Sequence, residues 1–178
     1  MRFFVLFFFI AIQICGQNKQ KDTISYREYS KLKWQDFKEK APENTHFSAS
    51  VSTGMSYKWS YSTAAGVPDF EYQIQANLYR NFSWSIYKTG KEAVLKHEQL
   101  HYDITELFVR KFRKALSEYT VTRTIRKDVS IMYDAIEAER NNMQLLYDKE
   151  TNHSLNKEEQ IAWEQKIEKL LFEFEAYK

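Results

Sequence analysis

The sequence predicts an α+β domain, a small antiparallel sheet followed by three helices, and three observations carry that prediction. In "VSTGMSYKWSY" the larger residues Val51, Thr53, Met55, Tyr57, Trp59 and Tyr61 occupy the odd positions, and "FEYQIQANLY" repeats the alternation with Phe70, Tyr72, Ile74, Ala76 and Leu78. Period two marks half-buried strands, and the turn-forming "STAAGVPD" between them makes an antiparallel pair. Beyond "KTG" the period changes: Val94, His97, His101, Ile104, Phe108, Phe112, Ala115 and Tyr119 recur at helical spacing, which predicts one long helix over 91–119. Strands come first and helices after, rather than in alternation, and that order separates α+β from α/β.

The chain begins "MRFFVLFFFIAIQICGQNKQ", with one early positive charge and an unbroken apolar run from Phe3 to Ile12. Such a run is too short for a permanent anchor, so residues 1–16 are expected to be a cleaved signal peptide and 17–178 a single domain without a transmembrane anchor. Export to the periplasm or the cell exterior follows, with acylation at Cys15 the alternative. The body holds no other cysteine, so its core must stabilise it without disulfides, and 43% hydrophobic with 16% aromatic residues is ample for one core. Residues 18–45 read as polar until "LKWQDFKEKAPE", where Trp34 and Phe37 are the expected anchors. The stripe of Tyr57, Trp59 and Tyr61 reads as core.

A second helix over about 122–147 is predicted by Ile125, Val129, Met132, Ile136, Met143 and Leu146. The polar "DKETNHSLN" reads as a connection, after which Asn156 with Glu159 has the form of a cap. Ile161, Ile167, Leu170, Leu171 and Phe174 then carry a third helix. The formal charge of +2 falls to +1 when Arg2 leaves with the leader, and charges of both signs are mixed along the chain. That balance argues against nucleic acid or an anionic membrane as a partner.

The chemistry lies in "VLKHEQLHYDITELF". His97-Glu98-Gln99-Leu100-His101 is the pattern H-E-x-x-H, and on a helix residues four apart differ by about 40° in direction, so both imidazoles can hold one zinc ion (Zn2+). Glu98 lies about 100° further round, placed to serve as general base on a zinc-activated water. A third ligand is required. No histidine stands six residues beyond His101, where Leu107 is found, and Glu106 points about 140° away from His101. His153, in the connection after the second helix, is the preferred third ligand, with Glu137 on the second helix the runner-up and His46, before a strand, the third choice. Tyr147 could donate a hydrogen bond to a developing oxyanion or simply pack in the core, and Asp148 could orient a ligating imidazole or serve an exposed helix end.

Three segments, "LKWQDFK", "VLKHEQLHYDITEL" and "YDKETNH", resemble those of secreted bacterial proteins catalogued as a domain of unknown function and described as predicted zinc-dependent proteases. The resemblance spans nearly the whole mature chain. It implies a zincin-like metallopeptidase with His97, His101 and His153 on zinc and Glu98 as base, and draws attention to Tyr147, Asp148 and Thr151. Ser154 stands where many such relatives have glycine.

The expected function is hydrolysis of peptide bonds in a peptide or protein substrate, with the edge of the strand near 51–61 aligning an extended chain. The alternatives are a metal-binding cell-envelope protein without catalysis and an amidase acting on cell-wall peptide.

Overall fold

The computed structural model describes residues 22–64, 66 and 69–178, so the expected signal peptide and Cys15 lie outside the described residues. The architecture is α+β. Three strands, β1 (Thr23–Ser25), β3 (Thr53–Ser62) and β4 (Asp69–Tyr79), form an antiparallel sheet in the order β1-β4-β3. A second ladder joins β2 (Ala49–Ser50) to β5 (Trp84–Ser85). Three helices follow: α1 (Glu92–Ser117), α2 (Ile125–Thr151) and α3 (Lys157–Glu173).

The hairpin expected from the alternation is present, with Thr53 opposite Leu78 through to Ser62 opposite Asp69. Met55, Ile74, Ala76 and Leu78 are buried on its inner face, and the Tyr57 ring packs on Phe112 and Tyr133 with centroids 5.6 and 4.7 Å away. At the far end of the hairpin the stripe leaves the core, and Tyr61 is exposed. β1 falls in the stretch read as merely polar; three residues are too few to show an alternation, yet they pair with Tyr79, Leu78 and Asn77. Trp34 and Phe37 are buried as anchors, and the Trp34 indole donates to the Gly90 carbonyl just before α1.

α1 packs against the sheet through β3 and β4 on one side and against α2 and α3 on the other. Tyr102, Ile104, Leu107, Phe108, Val109 and Phe112 are therefore all buried, as expected of a helix covered on all sides. Each such aromatic or leucine contributes several kcal/mol, ~3–5 for truncating a buried phenylalanine. Glu106, far from His101 as the helical angle requires, is buried against the Arg110 Nε at 3.0 Å.

Two expectations for the later helices need correction. Leu146 and Ile161 are exposed, and the inward places belong to Tyr147 on α2 and to Gln160 and Trp163 on α3. α2 also runs past 147 to Thr151, whose hydroxyl donates to the Tyr147 carbonyl at 2.7 Å. The α3 cap is as expected, the Asn156 side chain accepting from the Glu159 N–H at 3.3 Å. No described helix is long and apolar enough to cross a membrane.

Candidate metal centre

His97 and His101 leave α1 one turn apart, toward the last turns of α2. Their Nε2 atoms are 3.3 Å apart, and Asp148 Oδ1, from α2, lies 3.1 Å from the first and 3.0 Å from the second. These three side chains form a group able to hold a metal ion. Because α2 continues to Thr151, Asp148 is a helical residue facing α1 and not the start of a connection.

The hydrogen bonds behind the rings decide which nitrogen carries the proton. Gln160 gives its amide N–H to Glu164 Oε1 at 3.0 Å, and its Oε1 accepts from the Tyr147 hydroxyl at 2.8 Å. The same Oε1 lies 3.2 Å from His97 Nδ1, which must therefore donate. Gln144 repeats the arrangement for His101: its amide donates to the His101 carbonyl at 2.9 Å, and its Oε1 faces His101 Nδ1. Both neutral rings thus turn an Nε2 lone pair toward Asp148, and three acceptors converge with no donor among them. Only a proton or a cation can sit between them.

Without an ion, a proton is the answer. Burial works to lower the His101 imidazolium, but the Asp148 hydrogen bond, the Glu98 and Asp148 charges and the Gln144 contact outweigh it and the net shift is upward. Burial likewise works to raise Asp148, yet its bonds and charge contacts with His101 and His97 hold it well below the usual carboxylate range. The donor set also fits a metal. Four bonds of about 2.0–2.1 Å in a tetrahedron place donor atoms about 3.3 Å apart, and the spacings here, 3.0 to 3.3 Å, already match that within a few tenths.

Glu98 is 4% exposed, and its Oε2 accepts from the Val51 N–H at 2.7 Å. Burial pushes its carboxyl up, opposed by the His101 and His97 charges and by the Val51 N–H. Both histidines, Glu98 and Asp148 line a cleft of about 740 Å³ whose other walls include residues 48–53 and 152–155.

The remaining candidates lie as follows. His153 Nδ1 reaches to 3.5 Å from Asp148 Oδ1, its side chain is about half exposed, and its ring meets Phe47 edge-on at 4.8 Å. It sits in a left-handed run, with φ of 45°, 52° and 74° at Asn152, His153 and Ser154, and these residues form part of the cleft wall. Glu137 is held by Arg140 Nε at 2.9 Å and does not line the cleft, whereas His46 is at its exposed rim. Tyr147 is fully buried, its ring stacked on His97 at 4.6 Å and its hydroxyl bonded to Gln160 and to the His97 carbonyl. Its hydroxyl is thus occupied on the far side of His97, and it positions that ring instead of facing the cleft. Gln144 and Gln160 escaped the sequence reading, although Gln144 shows a signal: it stands four residues before Asp148, on the same face of α2.

Neither a curated protein nor a solved structure matches this chain. The family model described as "Bacterial protein of unknown function (DUF922)" does match, over residues 23–154, a span that takes in all four cleft residues named above but stops short of α3. The chain belongs to that family.

Proposed function

We propose that this protein is an exported zinc-dependent peptidase of zincin-like architecture. One observation carries the reading: two imidazole lone pairs and a carboxylate oxygen converge beside a buried glutamate at the floor of an open cleft. Two histidines and a carboxylate make the three-ligand set associated with catalytic zinc, whereas structural zinc takes four protein ligands. His97 and His101 would hold the ion through Nε2 and Asp148 through Oδ1, with Gln160 and Gln144 fixing the rings. Zinc in such a site supplies Lewis-acid polarisation of a carbonyl and acidifies water toward neutral pH.

The chain's own residues do the rest. Glu98, anchored by the Val51 N–H through one oxygen, keeps the other for the cleft, and its raised affinity for a proton suits a base working near neutrality. It takes a proton from the attacking water and delivers it to the departing amine, so that one amide bond becomes a carboxylate and an amine. The N-terminal apolar run supports export; mass spectrometry of the mature N-terminus checks it.

The test is cleavage of mixed peptide libraries by zinc-loaded protein, with Glu98→Gln as the partner variant. Loss of the base is expected to lower kcat about 10²- to 10⁴-fold with zinc content unchanged. Equal rates in the two proteins would refute the mechanism, and no cleavage by either would favour metal binding without catalysis.

A second reading of the third ligand rests on the 3.5 Å approach of His153 to Asp148. There His153 takes the metal and Asp148 orients it. Zinc affinities of Asp148→Ala and His153→Ala decide: the larger loss is expected for Asp148→Ala, and the reverse order would install His153.

A further inference from the structure

The charges along the cleft are lopsided. Glu98 and Asp148 are its only carboxylates among the described lining residues, and both belong to the centre, where a divalent ion would neutralise them. Two cations, Lys91 and Arg140, line the cleft away from the centre. Lys91 is exposed, lies 5.7 Å from the centroid of the Tyr87 ring and has no carboxylate partner among the described residues; Glu92 beside it does not line the cleft. Arg140 is bound through Nε and Nη2 to Glu137, and Nη2 also meets Asn141, which leaves Nη1 without a partner among the described residues. Glu137 itself is outside the cleft wall; its two-pronged pairing offsets part of the guanidinium charge and aims the buried Arg140, which meets a ligand through its Nη1–H groups.

The two cations lie at opposite ends. Lys91 precedes α1, two turns before the midpoint of His97 and His101. Arg140 lies one turn of α2 before Gln144, which contacts His101 and Thr105, and because α2 runs back along α1 this puts it beyond the centre. At 1.5 Å per residue the span from Lys91 to the level of Arg140, one turn past the midpoint of His101 and Thr105, is about 24 Å along the helix, about the reach of six residues of extended chain with their end side chains.

We infer that the cleft selects an extended peptide that is neutral at its centre and carries an acidic side chain toward each end, one paired with Lys91 and the other with Arg140. The inference rests on the peptidase reading for the nature of the ligand, and its test separates the two. Fluorescent hexapeptides with acidic, neutral or basic ends and one common centre are titrated, by anisotropy, onto zinc-loaded Glu98→Gln protein, which cannot turn them over. An exposed pair at Lys91 and a charge-assisted hydrogen bond to the buried Arg140 contribute about threefold each, so the acidic-ended peptide is expected to bind about tenfold tighter than the neutral one, with the gap narrowing in high salt. Lys91→Glu, at an exposed position, is expected to abolish most of that preference. Equal affinities, a preference for basic ends, no measurable binding, or a preference untouched by Lys91→Glu would each overturn the inference. A retained preference in a protein whose wild type cleaves nothing would sink the peptidase reading and leave this one standing.

Discussion

Replacing Gln160 by leucine tests the hydrogen-bond scheme behind the rings, and the structure sets the size of the effect. The His97 Nδ1–H has Gln160 Oε1 as its partner at 3.2 Å, and a ring 4% exposed gives solvent little access to replace it. The Tyr147 hydroxyl loses its 2.8 Å partner but keeps the His97 carbonyl at 3.2 Å, so one buried donor is fully orphaned and a second is weakened. An orphaned buried donor costs about 1–3 kcal/mol, and about 2 kcal/mol is expected for Gln160→Leu once the weakened tyrosine bond is offset against the added apolar contact. In a chain of this size that lowers Tm by about 4–8 °C. Zinc affinity should fall about 10- to 100-fold, because nothing then holds the His97 tautomer that offers Nε2. Thermal melts in chelator give the first quantity, and competition with a chromophoric chelator gives the second. Gln165→Leu, at an exposed position of the same helix, is the control and should change neither. A Gln160→Leu protein that melts and binds zinc like the wild type would refute the tautomer assignment and the convergent lone pairs that follow from it.

Two further outcomes follow from the same geometry. His101 is raised in the folded protein, so its contribution to stability is present below about pH 6.5 and lost as pH climbs through the folded value; Asp148 is lowered, so its contribution is present above about pH 4 and lost on acidification. Melts of chelator-treated protein should thus be highest between those limits, while the gain in Tm on adding zinc should grow from pH 5 to pH 8 as the ligands shed protons; a zinc effect independent of pH would contradict the ligand set. Ser154→Gly should stabilise the protein by about 1 kcal/mol, because φ of 74° penalises a side chain and suits glycine, and an unchanged or lower Tm would remove strain from the account of this turn.

Much of the scaffold could be read from the sequence because apolar periodicity reports burial directly. The hairpin, α1 and the α3 cap follow from alternation, from a stripe at helical spacing, and from Asn156 with Glu159. The pair His97 and His101 was equally legible, since spacing by four leaves little choice of direction. The other half of the site was not. On α2 the inward face near the site is polar, with Arg140, Gln144, Asp148 and Thr151 recurring at intervals of four or three, so apolar periodicity points to the exposed Leu146 and gives out at the residue before Asp148. Apolar periodicity likewise points to the exposed Ile161 and passes over the buried Gln160. Hydrophobic patterning fails where a buried face is built for polar contacts, and such failures cluster at functional sites.

The use of two glutamines has a consequence for the charge of the centre. A carboxylate behind each histidine would orient the ring equally well but would add negative charge, strengthening the ligands and blunting the ion's hold on water. An amide carbonyl orients without that addition. With Asp148 the one anionic donor, a divalent ion bound by these three side chains would keep one positive charge over its ligand set, balanced only by Glu98 beside it, which is the condition for polarising a carbonyl there. The same economy binds α3 to the site: Gln160 and the buried Trp163 and Ile167 all lie beyond residue 154, where the family match ends, yet Gln160 reaches back to the histidine that opens the motif. The hydrogen-bonded cluster around the candidate centre is therefore longer than the matched segment, because the proton on His97 Nδ1 has its acceptor on the last helix.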